Sequence, residues 1–413
     1  MEKEIHIYWE KIEDEAMRQF NEVMKIDSVI KWVLLPDAHS GYVLPIWGVV
    51  AVKDYIFPAF IWYDIGCGVC AIKTEYKKKQ IKGLEDRIFD SVYRSVPCWE
   101  WLSRKEKIDW DYLKIPHSNF LENLMKTWIY QIWTLGWWNH FIEISYDEED
   151  NIWIVVHSWS RWVWYKTAAK YMRIAKMIEN PLFREFEKEF EEIEDYEKLK
   201  KKDIEEYEEI KWKYIFEKWK KLFKWGIEWT YGLKSDSKEW KEYIMDMNFC
   251  LEFALENRKQ MLKATYGELD YYLSWKRKEI NYENMINRHH NHAELKDSLW
   301  IHRKWATHAE RWMLWIIPWN MRDWSFVVRW KWNPDSLYSS SHWWGRIMSR
   351  TEAKRSISLD EFKETMKWIK AKVDFKTIDE APFAYKNIFE VMKFQKDMVQ
   401  ILHHLKPIIN IKG

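Results

Sequence analysis

Hydrophobic and polar residues follow two different periods along this chain. Over residues 11–26, Ile12, Ala16, Phe20, Val23 and Met24 recur near helical spacing, which predicts an amphipathic helix with one packed face. Short apolar runs follow at VVAV (49–52) and VCAIKT (69–74), then at NIWIVVHS (151–158) and SLWIHRK (298–304), and runs of that length predict strands. Residues 166–225 and 240–286 are long, charged and helical in pattern, and over 186–222 the face is mostly solvated. From 299 to 345, short apolar runs between turn residues predict strands again. The expected fold is α+β, one large domain over 1–413 with mixed sheets around a cleft. A charged helical insert at 166–286 divides its strand-bearing halves.

Composition changes this picture at one point. The chain holds 32 Trp and only 11 Gly, where a usual share would give roughly 29 glycines. The Trp residues cluster in polar, turn-like segments: TLGWWNHF (134–141), HSWSRWVWYK (157–166), RKWATHAERWMLWIIPWNMRDW (303–324) and SSSHWWGR (339–346). Such segments suit a residue that tolerates φ > 0 and lets backbone approach a ligand closely, which is glycine. The pattern is that expected when UGA codons that a cell reads as glycine are translated as tryptophan. Trp153 and Trp300 lie inside apolar runs and read as genuine tryptophans.

Charge and cysteine content narrow the class. There are 66 Lys+Arg against 65 Asp+Glu, a net charge of +1. That excludes a strongly basic nucleic-acid coat while allowing a local basic groove. No run approaches the roughly 20 apolar residues of a membrane helix, and the charged start, MEKEIHIYWEKIEDEA, is not that of a signal peptide. Four cysteines, Cys67, Cys70, Cys98 and Cys250, are too few and too uneven for a disulfide scaffold. A cytoplasmic protein without membrane attachment is expected.

Candidate chemistry concentrates in Asp64, Cys67, His140, His157 and His290. Carboxylate, thiolate and imidazole together suit a divalent transition metal. Read singly, each has a plainer meaning: Asp64 as a turn cap, Cys67 as a small buried hydrophobe, each His as a structural residue. Cys67 and Cys70 also have C-x-x-C spacing, but no second such pair exists to complete a structural zinc site.

Ten motifs occur in an order that resembles the RtcB family of RNA ligases: LPDAHSGYVLPIWGVVA, YDIGCGV, TLGWWNHFIE, HSWSRW, HHN, HRKWAT, IIPWNM, SSSHWWGRIMSR, APFAYK and the terminal IKG. The resemblance spans most of the chain. It implies two Mn²⁺ ions held by Asp64, Cys67, His140, His157 and His290, with Cys67 bridging and Cys70 outside the pattern. It implies GTP as cosubstrate and His342 as the nucleophile that carries GMP. The guanylate pocket it implies uses Asn139, Phe141, Glu143, His290, Asn291, Pro318, Asn320, Met321, Ser325, Gly345 and Arg346. Lys412 reaches the base, and Tyr385 either stacks on guanine or is a core residue. Asn320 departs from the serine usual there, and Trp343-Trp344 from Gly-Ala.

The implied reaction joins an RNA 3′-phosphate or 2′,3′-cyclic phosphate end to a 5′-hydroxyl end. Whether an activating partner protein takes part stays open. Two other readings remain: a metal-dependent RNA-end phosphodiesterase, and a non-catalytic RNA-end binder if the indoles are genuine.

Overall fold

The computed structural model describes residues 3–8, 12–98, 110–136, 139–193, 207, 210–211, 213–215, 217–218, 230–275, 278–331, 333–341 and 346–413. Trp137, Trp138, and the His342–Gly345 segment that includes the expected nucleophile lie outside them, as does much of 186–222.

Helices and sheets are mixed, in four layers. A five-stranded sheet has the order Glu4–Ile7, Val29–His39, Ile46–Val52, Leu299–Arg303, His292–Lys296. A larger sheet has the order Leu314–Ile317, Ser325–Trp330, Val399–Lys412, Phe141–Tyr146, Asn151–Ser158, Gly68–Lys77, Ile286–His289, with Lys370–Ala371 also paired to Val399–Lys412. Strand side chains alternate between faces, and this alternation builds the layers. Val69, Ala71 and Val155 join Val33, Val49 and Ala51 in a core between the sheets. Cys70, Ile72, Ile154 and Val156 face the other way, onto Ile88 and Val92 of helix Glu85–Ser95 and Met261 and Leu262 of helix Lys238–Leu273. Outside the five-stranded sheet lies helix Asp14–Val23, with Phe20 and Val23 buried against Trp32 and Val50.

Both strands expected at 49–52 and 69–74 are present within longer ones, and those around Trp153 and Trp300 are present as Asn151–Ser158 and Leu299–Arg303. In the 240–286 span the helix ends at Leu273, and a strand begins at Ile286. No helix among the described residues is long and apolar enough to cross a membrane.

Candidate metal centre and nucleotide pocket

Sheet register gathers the candidate ligands. Phe141 pairs with His157, Gly68 pairs with Ser158, and Gly68 also pairs with His289. Cys67, His140, His157 and His290 each lie at or next to a paired position, so all four come to one end of neighbouring strands. Gly68 is required at this crossing, because a Cβ there would stand 2.0 Å from the Arg288 carbonyl oxygen. Backbone bonds fix the approach: His290 N donates to the Cys67 carbonyl at 2.9 Å and Gly66 N to the Asn291 carbonyl at 3.0 Å. The Asn291 side-chain amide donates to the carbonyls of Ile61 and Asp64 at 2.8 and 2.9 Å. Asn291 therefore holds the loop that carries the ligands.

The side chains converge. Cys67 Sγ lies 3.2 Å from His157 Nε2 and 3.8 Å from His140 Nε2, and His157 Nε2 lies 3.3 Å from His290 Nε2. Ligand atoms of Cys67, His157 and His290 all fall within 4.8 Å of one another, and all three residues are buried. His157 Nδ1 is 3.2 Å from the Asn139 carbonyl, which orients the ring with Nε2 toward the cluster. The Asp64 carboxyl hydrogen-bonds the Cys67 thiol, and burial pushes both groups well above their ordinary pKa ranges. Burial, with Arg161 and Lys412 adding to it, drives His140 well below its own.

These residues fit a divalent metal. Nε2 atoms crowded around a thiol make a poor hydrogen-bond network and a good coordination set. Asp64 Oδ1 and His140 Nδ1 are buried with no hydrogen-bond partner among the described residues, a costly arrangement unless something else engages the site. Cys70 stays out of the cluster. It sits in the helix-facing core with its thiol pushed up to about 12 by burial, and all four cysteines are free.

The nucleotide-pocket candidates separate into three groups. Phe141 and Lys412 pair across the same end of the sheet. Glu143, two residues on, accepts from Ser325 Oγ at 3.3 Å and Asn410 Nδ2 at 3.2 Å, and burial pushes its carboxyl up to about 8. A second group surrounds Glu380. Lys412 Nζ reaches its carboxylate at 2.6 Å, Tyr385 donates its hydroxyl at 2.8 Å, and Arg346 Nη1 lies 3.3 Å away. Burial alone would raise the Glu380 carboxyl, but Lys412, Arg350 and Arg346 hold it down to about 2. The third group serves the fold. Pro318 is buried, Met321 belongs to the inter-sheet core, and Asn320 closes its own turn by bonding Asp323 and accepting from Arg322 N.

Sequence reading missed Glu380 and Arg258. A signal for Arg258 existed: it shares the buried stripe of helix Lys238–Leu273 with Ala254, Met261, Leu262 and Thr265. A cation on an apolar stripe calls for a polar task.

Tryptophan marks the site in an unexpected way. Among the described residues, sixteen non-glycine residues have positive φ, and six are tryptophans: Trp47 (61°), Trp62 (62°), Trp133 (65°), Trp275 (62°), Trp305 (59°) and Trp312 (69°). Only 32 of 413 residues are Trp, and a bulky side chain in this left-handed region is unfavourable. Trp47 is buried with its indole N–H unpaired among the described residues. Trp159 lies with its ring 4.3 Å from the His140 ring, and Trp305 with its ring 5.4 Å from that of His290. Trp319 is instead in the inter-sheet core, and Trp162 packs on Trp128 and Tyr165.

A buried thiol and imidazoles at one end of a sheet form a candidate metal-binding group, near a buried carboxylate, Glu380, ringed by Lys412, Arg346 and Arg350. A profile of the tRNA-splicing ligase RtcB family matches residues 19–114 and 103–413, and the chain belongs to that family. RNA-splicing ligase RtcB of Escherichia coli (strain K12) is 27% identical over 434 residues, covering 97% of this chain and 95% of the relative. The tRNA-splicing ligases RtcB of Nanoarchaeum equitans and Thermococcus kodakarensis are 25% and 21% identical, each over 97% of this chain and 92% of the relative.

Proposed function

We propose that this chain is an RNA ligase that joins RNA 3′-phosphate or 2′,3′-cyclic phosphate ends to 5′-hydroxyl ends, using GTP and two Mn²⁺ ions. The observation that carries the reading is the convergence of Cys67, His140, His157 and His290 at the sheet end where Phe141 pairs with Lys412. Metal ligands and nucleotide-pocket residues thereby share one edge. Metal bound by Asp64, Cys67 and the three histidines supplies Lewis-acid charge neutralisation for phosphoryl chemistry.

The protein's own groups do the rest. His342 attacks the α-phosphorus of GTP, forming a P–N bond as pyrophosphate leaves. The GMP passes to the RNA 3′-phosphate, regenerating the imidazole. A 5′-hydroxyl then attacks the activated phosphate, forming the phosphodiester and releasing GMP. A 2′,3′-cyclic end is first opened by water to the 3′-phosphate. The described flanks of His342 support its assignment. Ser341 pairs with Ala306, the neighbour of Trp305, and Arg346 is bound to Tyr385 and Glu380. Glu143 and Lys412 offer an acceptor and a donor for the guanine edge, and Arg346 suits a phosphate. Tyr385 has its hydroxyl engaged by Glu380 and its ring packed in the core beneath the Arg346 guanidinium, which supports the core reading over stacking on guanine.

The cramped indoles of Trp159 and Trp305 support a further part of the proposal: the functional protein carries glycine at Trp137, Trp138, Trp159, Trp162, Trp305, Trp319, Trp343 and Trp344. Read as genuine tryptophans, they favour the RNA-end binder, since two rings already lie against candidate ligands. Incubation with α-labelled GTP and Mn²⁺ tests the ligase. Label is expected to stay on the protein and to be lost in His342→Ala. Hydrolysis of RNA ends with no labelled protein would point to the phosphodiesterase instead.

A further inference from the structure

Helix Lys238–Leu273 carries a fully buried guanidinium, Arg258, at mid-length. Its fork reaches three ligand-bearing segments at once. Nη1 donates to the Gly66 carbonyl and to the Ser158 carbonyl, each at 2.9 Å. Nη2 lies 3.3 Å from His289 Nδ1, and Nε donates to Asn287 Oδ1 at 2.7 Å. Gly66, Ser158 and His289 immediately adjoin Cys67, His157 and His290 in sequence. Gly66 makes the reach possible: its φ is +80°, and a Cβ there would stand 3.0 Å from Ala254 Cβ on the same helix.

We infer that Arg258 is the positioning residue of the metal centre, a rigid fork that sets the spacing of Cys67, His157 and His290 through the residues beside them. This rests on the metal-site reading given above. Two physical points support it. A planar guanidinium satisfies several acceptors in fixed directions, as a flexible ammonium cannot. A buried cation is also expensive without a counter-charge. Among the described residues no carboxylate pairs with Arg258, and the ionisable groups that act on it are the thiols of Cys70 and Cys67. Burial lowers the guanidinium to about 10, so it remains cationic at neutral pH.

The test is Co²⁺ titration of the full-length protein, followed by the thiolate-to-cobalt charge-transfer band, in the parent, Arg258→Lys and Arg258→Met. Circular dichroism checks folding. The parent is expected to show a band that Cys67→Ala abolishes. Arg258→Lys keeps the buried charge and loses the fork; it should fold, bind Co²⁺ at least tenfold more weakly, and show an altered cobalt ligand-field spectrum. Arg258→Met should lose more, and where it fails to fold, the Lys variant alone decides. A folded Arg258→Lys with parental affinity and spectrum overturns the proposal. A parent without any Cys67-dependent band removes the metal-site reading beneath it.

Discussion

Trp153 and Trp305 each stand near the candidate site, in regions that receive an indole very differently. Trp153 lies within strand Asn151–Ser158, four residues before His157. Its ring packs in the inter-sheet core and its N–H donates to Asp147 Oδ2 at 2.9 Å. Trp305 lies between strands Leu299–Arg303 and Ala306–His308. Its φ is 59° and its ring sits 5.4 Å from that of His290. In the first region the backbone, the packing and the hydrogen bond all suit the residue. In the second, the backbone is one that glycine adopts freely, and the side chain crowds His290, a candidate ligand. Agreement between levels marks a residue that belongs to the fold. Disagreement marks one that does not.

The most severe way to break this comparison is to act on it. Protein made with glycine at the eight proposed positions should form the guanylyl adduct, and protein made as written should form none. Equal labelling of the two forms would end the glycine reading. Codons supply an independent check: UGG at Trp159 and Trp305 would have the same force.

Cys67 and Cys70 repeat the contrast with one residue type. Cys67→Ala should abolish both metal binding and labelling, because it removes a ligand from the centre. Cys70→Ala, in the helix-facing core, should leave labelling within a few-fold of the parent. A dead Cys70 variant beside a working Cys67 variant would reverse the assignment.

Stability measurements sharpen the tryptophan pair directly. Trp153→Gly should cost about 3–5 kcal/mol, as large-to-small core substitutions do. Trp305→Gly should leave stability unchanged or raise it, since it relieves a left-handed φ. Urea denaturation of both variants gives the comparison, and equal losses would refute it.

The smallest effect contrasts Glu143 with Glu380. Glu380, ringed by Lys412, Arg350 and Arg346, is ionised at neutral pH. Glu143, raised to about 8, is protonated there in the absence of nucleotide. An acceptor for guanine N–H groups must be ionised, so GTP binding should release a proton. Affinity should then rise with pH by at most about tenfold per unit up to about 8 and level off above it. Glu143→Gln should flatten that slope. A parental profile already flat from pH 6 to 8 would remove Glu143 from base recognition.

Much of this was legible in the sequence because strands declare themselves by apolar runs. The residues around 49–52, 69–74, 151–158 and 299–303 all lie in strands. The ligand types were legible from chemistry, but their meeting depends on register, which no local pattern contains. Gly68 opposite both Ser158 and His289 could not be read from YDIGCGV. Arg258 stood out only as a cation on an apolar stripe, because its four partners are two backbone carbonyls, an imidazole and an amide brought to it by distant segments. Asn320 shows what a motif alone leaves out: its side chain also closes a turn, bonding Asp323 and accepting from Arg322 N.

The long reach of the sheet pairing sets an order of events. Glu143 and Asn410 are joined by a hydrogen bond across 267 residues of chain, and Arg258 meets Gly66 across 192. Contacts so distant in sequence are slow to form, because loop-closure entropy is spent before they stabilise anything. Glu143 meets Asn410, and Phe141 meets Lys412, only once the last strand has joined the sheet. A metal held by Cys67, His157 and His290 would likewise be taken up only after strands Gly68–Lys77, Asn151–Ser158 and Ile286–His289 have paired, late in the folding of a chain that size.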